Sequence, residues 1–131
     1  MIQRIQTLYL FGAAIISTLG AFILPLYATE SEVFRATAGM YTFLTFGISM
    51  SLFSGAVLLY RNRKMQLVVV RLGMLSALAA MGFIVQAILA IAGAEARWGA
   101  AAPFVCILFA FLAAKGIQKD EKKVRSLDRL R

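Results

Sequence analysis

The chain has 131 residues, is 61% hydrophobic, and carries 14 Lys and Arg against 6 Asp and Glu with no His. So apolar a composition excludes an ordinary soluble domain, and the length leaves no room for a second folded domain beside a membrane bundle. One cysteine, Cys106, excludes an intramolecular disulfide, and no metal-ligand cluster is present.

The first uncharged stretch runs from Ile5 to Thr29. It is too long for a secretory signal core, and Leu26-Tyr27-Ala28 puts a large residue where a cleavage site wants a small one. An uncleaved first transmembrane helix over about residues 5–27 is expected, with Pro25 near its outer end, where a lost helical hydrogen bond costs least. Thr29-Glu30-Ser31-Glu32 has capping-box spacing, which predicts that the second helix starts ahead of the lipid. That second span covers about 36–60. It carries Gly47, Ser51 and Gly55 at four-residue spacing, a flat ridge of the kind along which membrane helices pack. Ala13, Ser17 and Ala21 repeat the spacing on the first span, and Gly73, Ser76, Ala77 and Ala80 offer small residues on the third. These ridges suit packing inside one bundle, with a face for homo-oligomers as the alternative. Thr42, Thr45, Ser49, Ser51 and Ser54 are expected to return their hydroxyls to carbonyls one turn back.

The third span covers about 68–93. Arg71 can snorkel to the interface, and Gln86, the most polar side chain at depth, is expected to bridge helices. The fourth covers about 98–114. Pro103 fits its first turn, or kinks it if the helix starts nearer Ala94. Cys106 is read as core filler. No ionisable residue lies in the middle of any span, which argues against a proton-coupled exporter. No nucleophile–base pair, carboxylate dyad or phosphate-cradling glycine loop is present, so neither an enzyme nor a cofactor is implied.

Twelve of the fourteen basic residues fall before the first span, in the connection between the second and third or at the start of the third (Arg71), or after the fourth. Arg35 and Arg97 lie on the other side, beside Glu30, Glu32 and Glu95. Short loops rich in Lys and Arg remain cytoplasmic, so both termini are expected in the cytoplasm. Short connections then give an all-α, up-down-up-down antiparallel bundle of four transmembrane helices over residues 1–114. The basic tail, 115–131, reads as a short amphipathic cytoplasmic helix. Ile117, Val124, Leu127 and the stem of Arg131 share a stripe, with Leu130 nearby. Glu121 with Arg125 and Asp120 with Lys123 are spaced as ion pairs. Such a helix suits anionic lipid headgroups or a membrane or cytoplasmic partner protein, while its interspersed acids disfavour nucleic acid.

The opening Met1-Ile2-Gln3-Arg4-Ile5-Gln6-Thr7-Leu8-Tyr9-Leu10 and the closing segments Ile117-Gln118-Lys119-Asp120-Glu121 and Val124-Arg125-Ser126-Leu127-Asp128-Arg129-Leu130-Arg131 resemble a family of bacterial membrane proteins, domain of unknown function 4293. The resemblance covers essentially the whole chain. It implies a bacterial inner-membrane location and four helices, and supplies no reaction, substrate or binding site. From the residues themselves, Gln3, Arg4 and Gln6 are placed to meet the tail where the first and fourth helices emerge, or to form one composite surface with its Lys122, Arg125, Asp128, Arg129 and Arg131. The expected role is a non-catalytic accessory or assembly subunit. The alternative is a small transporter or channel component whose pathway forms on oligomerisation, drawing on Gln86 and the second-span hydroxyls.

Overall fold

The computed structural model describes residues 2–130, with side chains from Ile5 onward. The chain is mostly helical: α1 (Ile2–Phe22), α2 (Met40–Leu58), α3 (Arg63–Ala90) and α4 (Ala102–Arg129). All four helical segments are long and apolar enough to cross a membrane. Strands β1 (Pro25–Ala28), β2 (Val33–Arg35) and β3 (Glu95–Ala96) form an antiparallel sheet in the order β2-β1-β3. Helix α1 packs along α2 and α4, and α3 along the same two partners.

The sheet corrects the expected ends of the first two spans. The residue before a proline is pushed out of the helical region, so Pro25 ends α1 rather than sitting inside it. The last turn closes with the Ile23 and Leu24 amides both donating to the Leu19 carbonyl. Thr29–Glu32 is the loop of a hairpin and not the cap of α2. The Thr29 amide donates to the Glu32 carbonyl at 2.8 Å, and the Glu32 amide donates to Thr29 Oγ1 at 3.3 Å. The local bond expected of a capping box therefore forms, but the strands on either side close it into a turn. Tyr27 stacks on Phe34 across those strands with centroids 5.0 Å apart, and cross-strand aromatic pairs are what hold such a hairpin. Gly99 completes this end: a Cβ there would lie 2.5 Å from the Pro25 carbonyl oxygen, so only glycine admits the approach.

Helix α3 begins five residues earlier than expected, because Asn62 Oδ1 accepts the Met65 amide at 3.3 Å and caps it. A 3₁₀ turn, Trp98–Ala101, leads into α4, whose Pro103 lies in the first turn, where its missing N–H is harmless. From there α4 runs without interruption through residue 115 into the basic tail, so the tail helix is the continuation of the fourth span.

The helices meet by fitting large side chains into glycine notches. Phe46 of α2 lies over Gly20 of α1, and Phe53 lies over Gly73 of α3; a Cβ at either glycine would come within 2.6 Å of the ring. Ala13, Ser17 and Ala21 of α1 and Gly73, Ala77 and Ala80 of α3 are buried, as their spacing suggests. The ridge on α2 is different. Its buried face is Phe46, Ser49, Phe53 and Ala56, while Ser51 is exposed and nothing lies within 4 Å of where a Cβ on Gly47 or Gly55 would be. Lipid tails satisfy a glycine ridge as well as another helix does, whereas two phenylalanines seated in notches gain many close contacts, so the rings take the inner face.

Gln86 also faces outward. It sits two residues beyond buried Ile84, on the opposite side of α3, and only about 6 Å from that helix's end at ~1.5 Å per residue. An amide that close to the sheet end has no need of an interhelical partner. Three of the five Ser and Thr hydroxyls of α2, those of Thr45, Ser49 and Ser51, are absorbed locally. Thr45 Oγ1 donates to the Tyr41 and Thr42 carbonyls, Ser49 to Thr45 and Ser51 to Gly47, all within 3.0 Å. Between helices, Ser76 Oγ donates to the Thr45 carbonyl at 2.8 Å.

Candidate interaction surface

Away from the sheet, the start of α1, the α2–α3 connection and the lower part of α4 converge on a buried polar junction. Asp120 follows Ala113 and Ile117 at helical spacing, so the face that packs against α1 carries a carboxylate inward one turn past the last buried apolar residue. Gln6 Nε2 donates to Asp120 Oδ2 at 2.9 Å, and both side chains are over 90% buried. Gly116 makes the approach possible, since a Cβ there would lie 2.8 Å from Gln6 Cγ. Arg63 Nη1 donates to the Asp120 backbone carbonyl at 3.3 Å, attaching the start of α3 to the same point. Gln66, one turn on, is buried and donates from Nε2 to the Ala56 carbonyl at 3.0 Å, satisfying an acceptor near the end of α2. Among the described residues, no buried side-chain nitrogen or oxygen is left without a partner. A low-dielectric junction made this way is rigid because every member is satisfied.

Below Asp120, α4 continues for nine residues, about 14 Å at ~1.5 Å per residue. Here the tail stripe divides. Ile117 is buried, while Val124, Leu127 and Leu130 are exposed. Lys122, Arg125, Asp128 and Arg129 surround them and are exposed as well. Arg125 Nη2 meets Glu121 Oε1 at 3.0 Å, the pair that the spacing suggests. Asp120 instead turns inward to Gln6 and makes no ion pair with Lys123.

Of the sequence candidates, Gln6 is therefore brought against the tail, and Lys122, Arg125, Asp128 and Arg129 lie together on the projecting part of α4. The side chains of Gln3 and Arg4, and Arg131 itself, lie outside the described residues. Gly47, Ser51, Gly55 and Gln86 lie on outer faces of the helices and do not join this junction. Asp120, Arg63 and Gln66 were missed as members. The available signal was the stripe Ala113, Ile117, Asp120, legible once the fourth span and the tail are taken as one helix. Among the described residues no three His, Cys, Asp or Glu side chains converge.

A family model described as a domain of unknown function, DUF4293, matches residues 2–130. The chain belongs to that family. The match takes in both the terminal segments that build the junction and all four helices of this DUF4293 chain. No match was found among curated proteins or solved structures.

Proposed function

We propose that this DUF4293 protein is a non-catalytic accessory or assembly subunit of a bacterial inner membrane. In this reading it is an up-down-up-down antiparallel bundle with its charged end in the cytoplasm and the lower part of α4 as its docking helix. The orientation rests on the basic residues of the α2–α3 connection and of the tail, which fall at that end, while Arg35 and Arg97 fall at the other. The docking role rests mainly on one observation: α4 is held at Asp120 and then projects with Val124, Leu127 and Leu130 uncovered among basic side chains. A helix so presented fits a partner groove that is apolar at its floor and acidic at its rim. The transporter alternative has less behind it, since Gln86 faces outward and the hydroxyls of Thr45, Ser49 and Ser51 bond to their own helix.

The test is co-purification in mild detergent with any tag placed in the loop near Ser31. A chain ending after Glu121 removes the projecting helix yet retains both Gln6 and Asp120; ending after Gly116 would also remove buried Ile117 and Asp120. A partner lost both from the shortened chain and from Leu127→Asp in the full chain supports the reading. Equal recovery of every companion protein from all three, or none from any, refutes it.

A further inference from the structure

Beside the junction, a cleft of about 810 Å³ opens between the α2–α3 connection and the lower part of α4. Tyr60, Arg61, Arg63 and Lys64 line one side, Glu121 and Arg125 the other. Its single carboxylate is engaged by Arg125 at 3.0 Å, and among the described residues no other ion pair forms. Arg61, Arg63 and Lys64 therefore give the cleft a positive charge that no carboxylate within it balances. Two of them are hydrogen-bonded: Arg61 Nε donates to the Tyr60 hydroxyl at 3.2 Å, and Arg63 Nη1 donates to the Asp120 carbonyl at 3.3 Å. That positive charge suits an anion.

The surroundings say what kind. Leu58, 79% exposed, ends α2 two residues before Tyr60, so the apolar surface reaches the mouth of the cleft. From Lys64, the exposed residues Val68, Leu72 and Leu75 follow at four, eight and eleven positions along one face of α3. That track is about 16 Å long at ~1.5 Å per residue, close to the roughly 15 Å of one leaflet's hydrocarbon. Arg71, exposed between Val68 and Leu75, is a cation within this track. It lies on the same face seven positions after Lys64. Helical side chains tilt toward the helix N-terminus, which for α3 is the charged end, so its long side chain can extend about one turn back toward Val68 and the headgroup layer. A soluble phosphate or a nucleic acid would have no use for the apolar track, whereas a phospholipid uses both parts.

We propose that this cleft is a binding site for an anionic phospholipid, with the headgroup phosphate among Arg61, Arg63 and Lys64 and an acyl chain along Val68, Leu72 and Leu75. The site borders the projecting helix through Val124 and Arg125, but the contacts proposed for the lipid are those of Arg61, Arg63, Lys64 and α3, which the docking role does not use. It differs from general attraction to a charged leaflet in requiring particular cations, and that difference is measurable.

The full-length protein in detergent is titrated with phosphatidylglycerol or phosphatidylcholine, and bound lipid is counted by native mass spectrometry. Each cation near a phosphate contributes about fivefold in affinity. Arg61→Gln/Lys64→Gln should therefore raise the Kd for phosphatidylglycerol about 25-fold. The charge-matched tail variant Lys122→Gln/Arg129→Gln should raise it less than about threefold. If the double variant proves misfolded by circular dichroism, Lys64→Gln alone, with about a fivefold loss, decides. Equal losses in the cleft and tail variants would reduce the effect to diffuse surface charge and overturn the proposal. So would equal affinity for the two lipids, or ready displacement of phosphatidylglycerol by glycerol phosphate, which would mark a site for soluble phosphates.

Discussion

The Gln6–Asp120 bond spans 114 residues of sequence, and its strength can be worked from its surroundings. Both side chains are more than 90% buried, so neither has ready access to water once its partner is gone. A hydrogen bond to a charged group contributes about 1.5–3 kcal/mol net, and a buried polar group left unpaired costs about 1–3 kcal/mol. Gln6→Ala strands the carboxylate and should destabilise by about 2–3 kcal/mol, and Asp120→Ala strands the amide and should cost about 2 kcal/mol. The double variant strands neither, so the two effects must not add. A coupling energy of about 1.5–2 kcal/mol is expected from the double-mutant cycle. Unfolding by SDS in mixed micelles, followed by far-ultraviolet circular dichroism, measures each corner of the cycle. Additivity within about 0.3 kcal/mol, the behaviour of independent sites, would mean the bond does not tie α1 to α4 and would remove the basis for treating the junction as rigid.

The same unfolding assay distinguishes the inner from the outer small residues. Gly73→Ala drives a Cβ to 2.6 Å from Phe53 Cε1 and should destabilise by about 1–3 kcal/mol, partly recovered by Phe53→Leu, whereas Gly47→Ala and Gly55→Ala should stay within about 0.5 kcal/mol. The reverse order would place the glycine ridge of α2 inside the bundle. For orientation, single cysteines at Ser31 and Ser126 in a Cys106→Ala background should react with an impermeant maleimide from opposite sides of sealed cells or inverted vesicles. Labelling of both from the same side would exclude the proposed threading.

Four apolar helical segments, their approximate positions and the sharply uneven distribution of charge were legible in the sequence, because hydropathy and charge are local properties that sum along the chain. The inner faces were not. In a soluble bundle the apolar stripe marks the core, but a membrane helix is apolar all round and lipid covers either face, so spacing put Gly47, Ser51 and Gly55 inside when Phe46 and Phe53 hold that place. Thr29 and Glu32 were correctly read as bonded neighbours, yet whether that bond caps a helix or closes a hairpin depended on Tyr27 meeting Phe34 and on β3 arriving from more than sixty residues away.

Asp120 shows the limit most plainly. By itself, a carboxylate among seven basic tail residues belongs on a solvated surface with Lys123. It is buried because α4 carries the inward stripe one turn further, Gly116 lets α1 come close, and Gln6 supplies the donor. Composition settled which stretches of this chain suit lipid; only the pairing of segments distant in sequence decided which side chains face one another there.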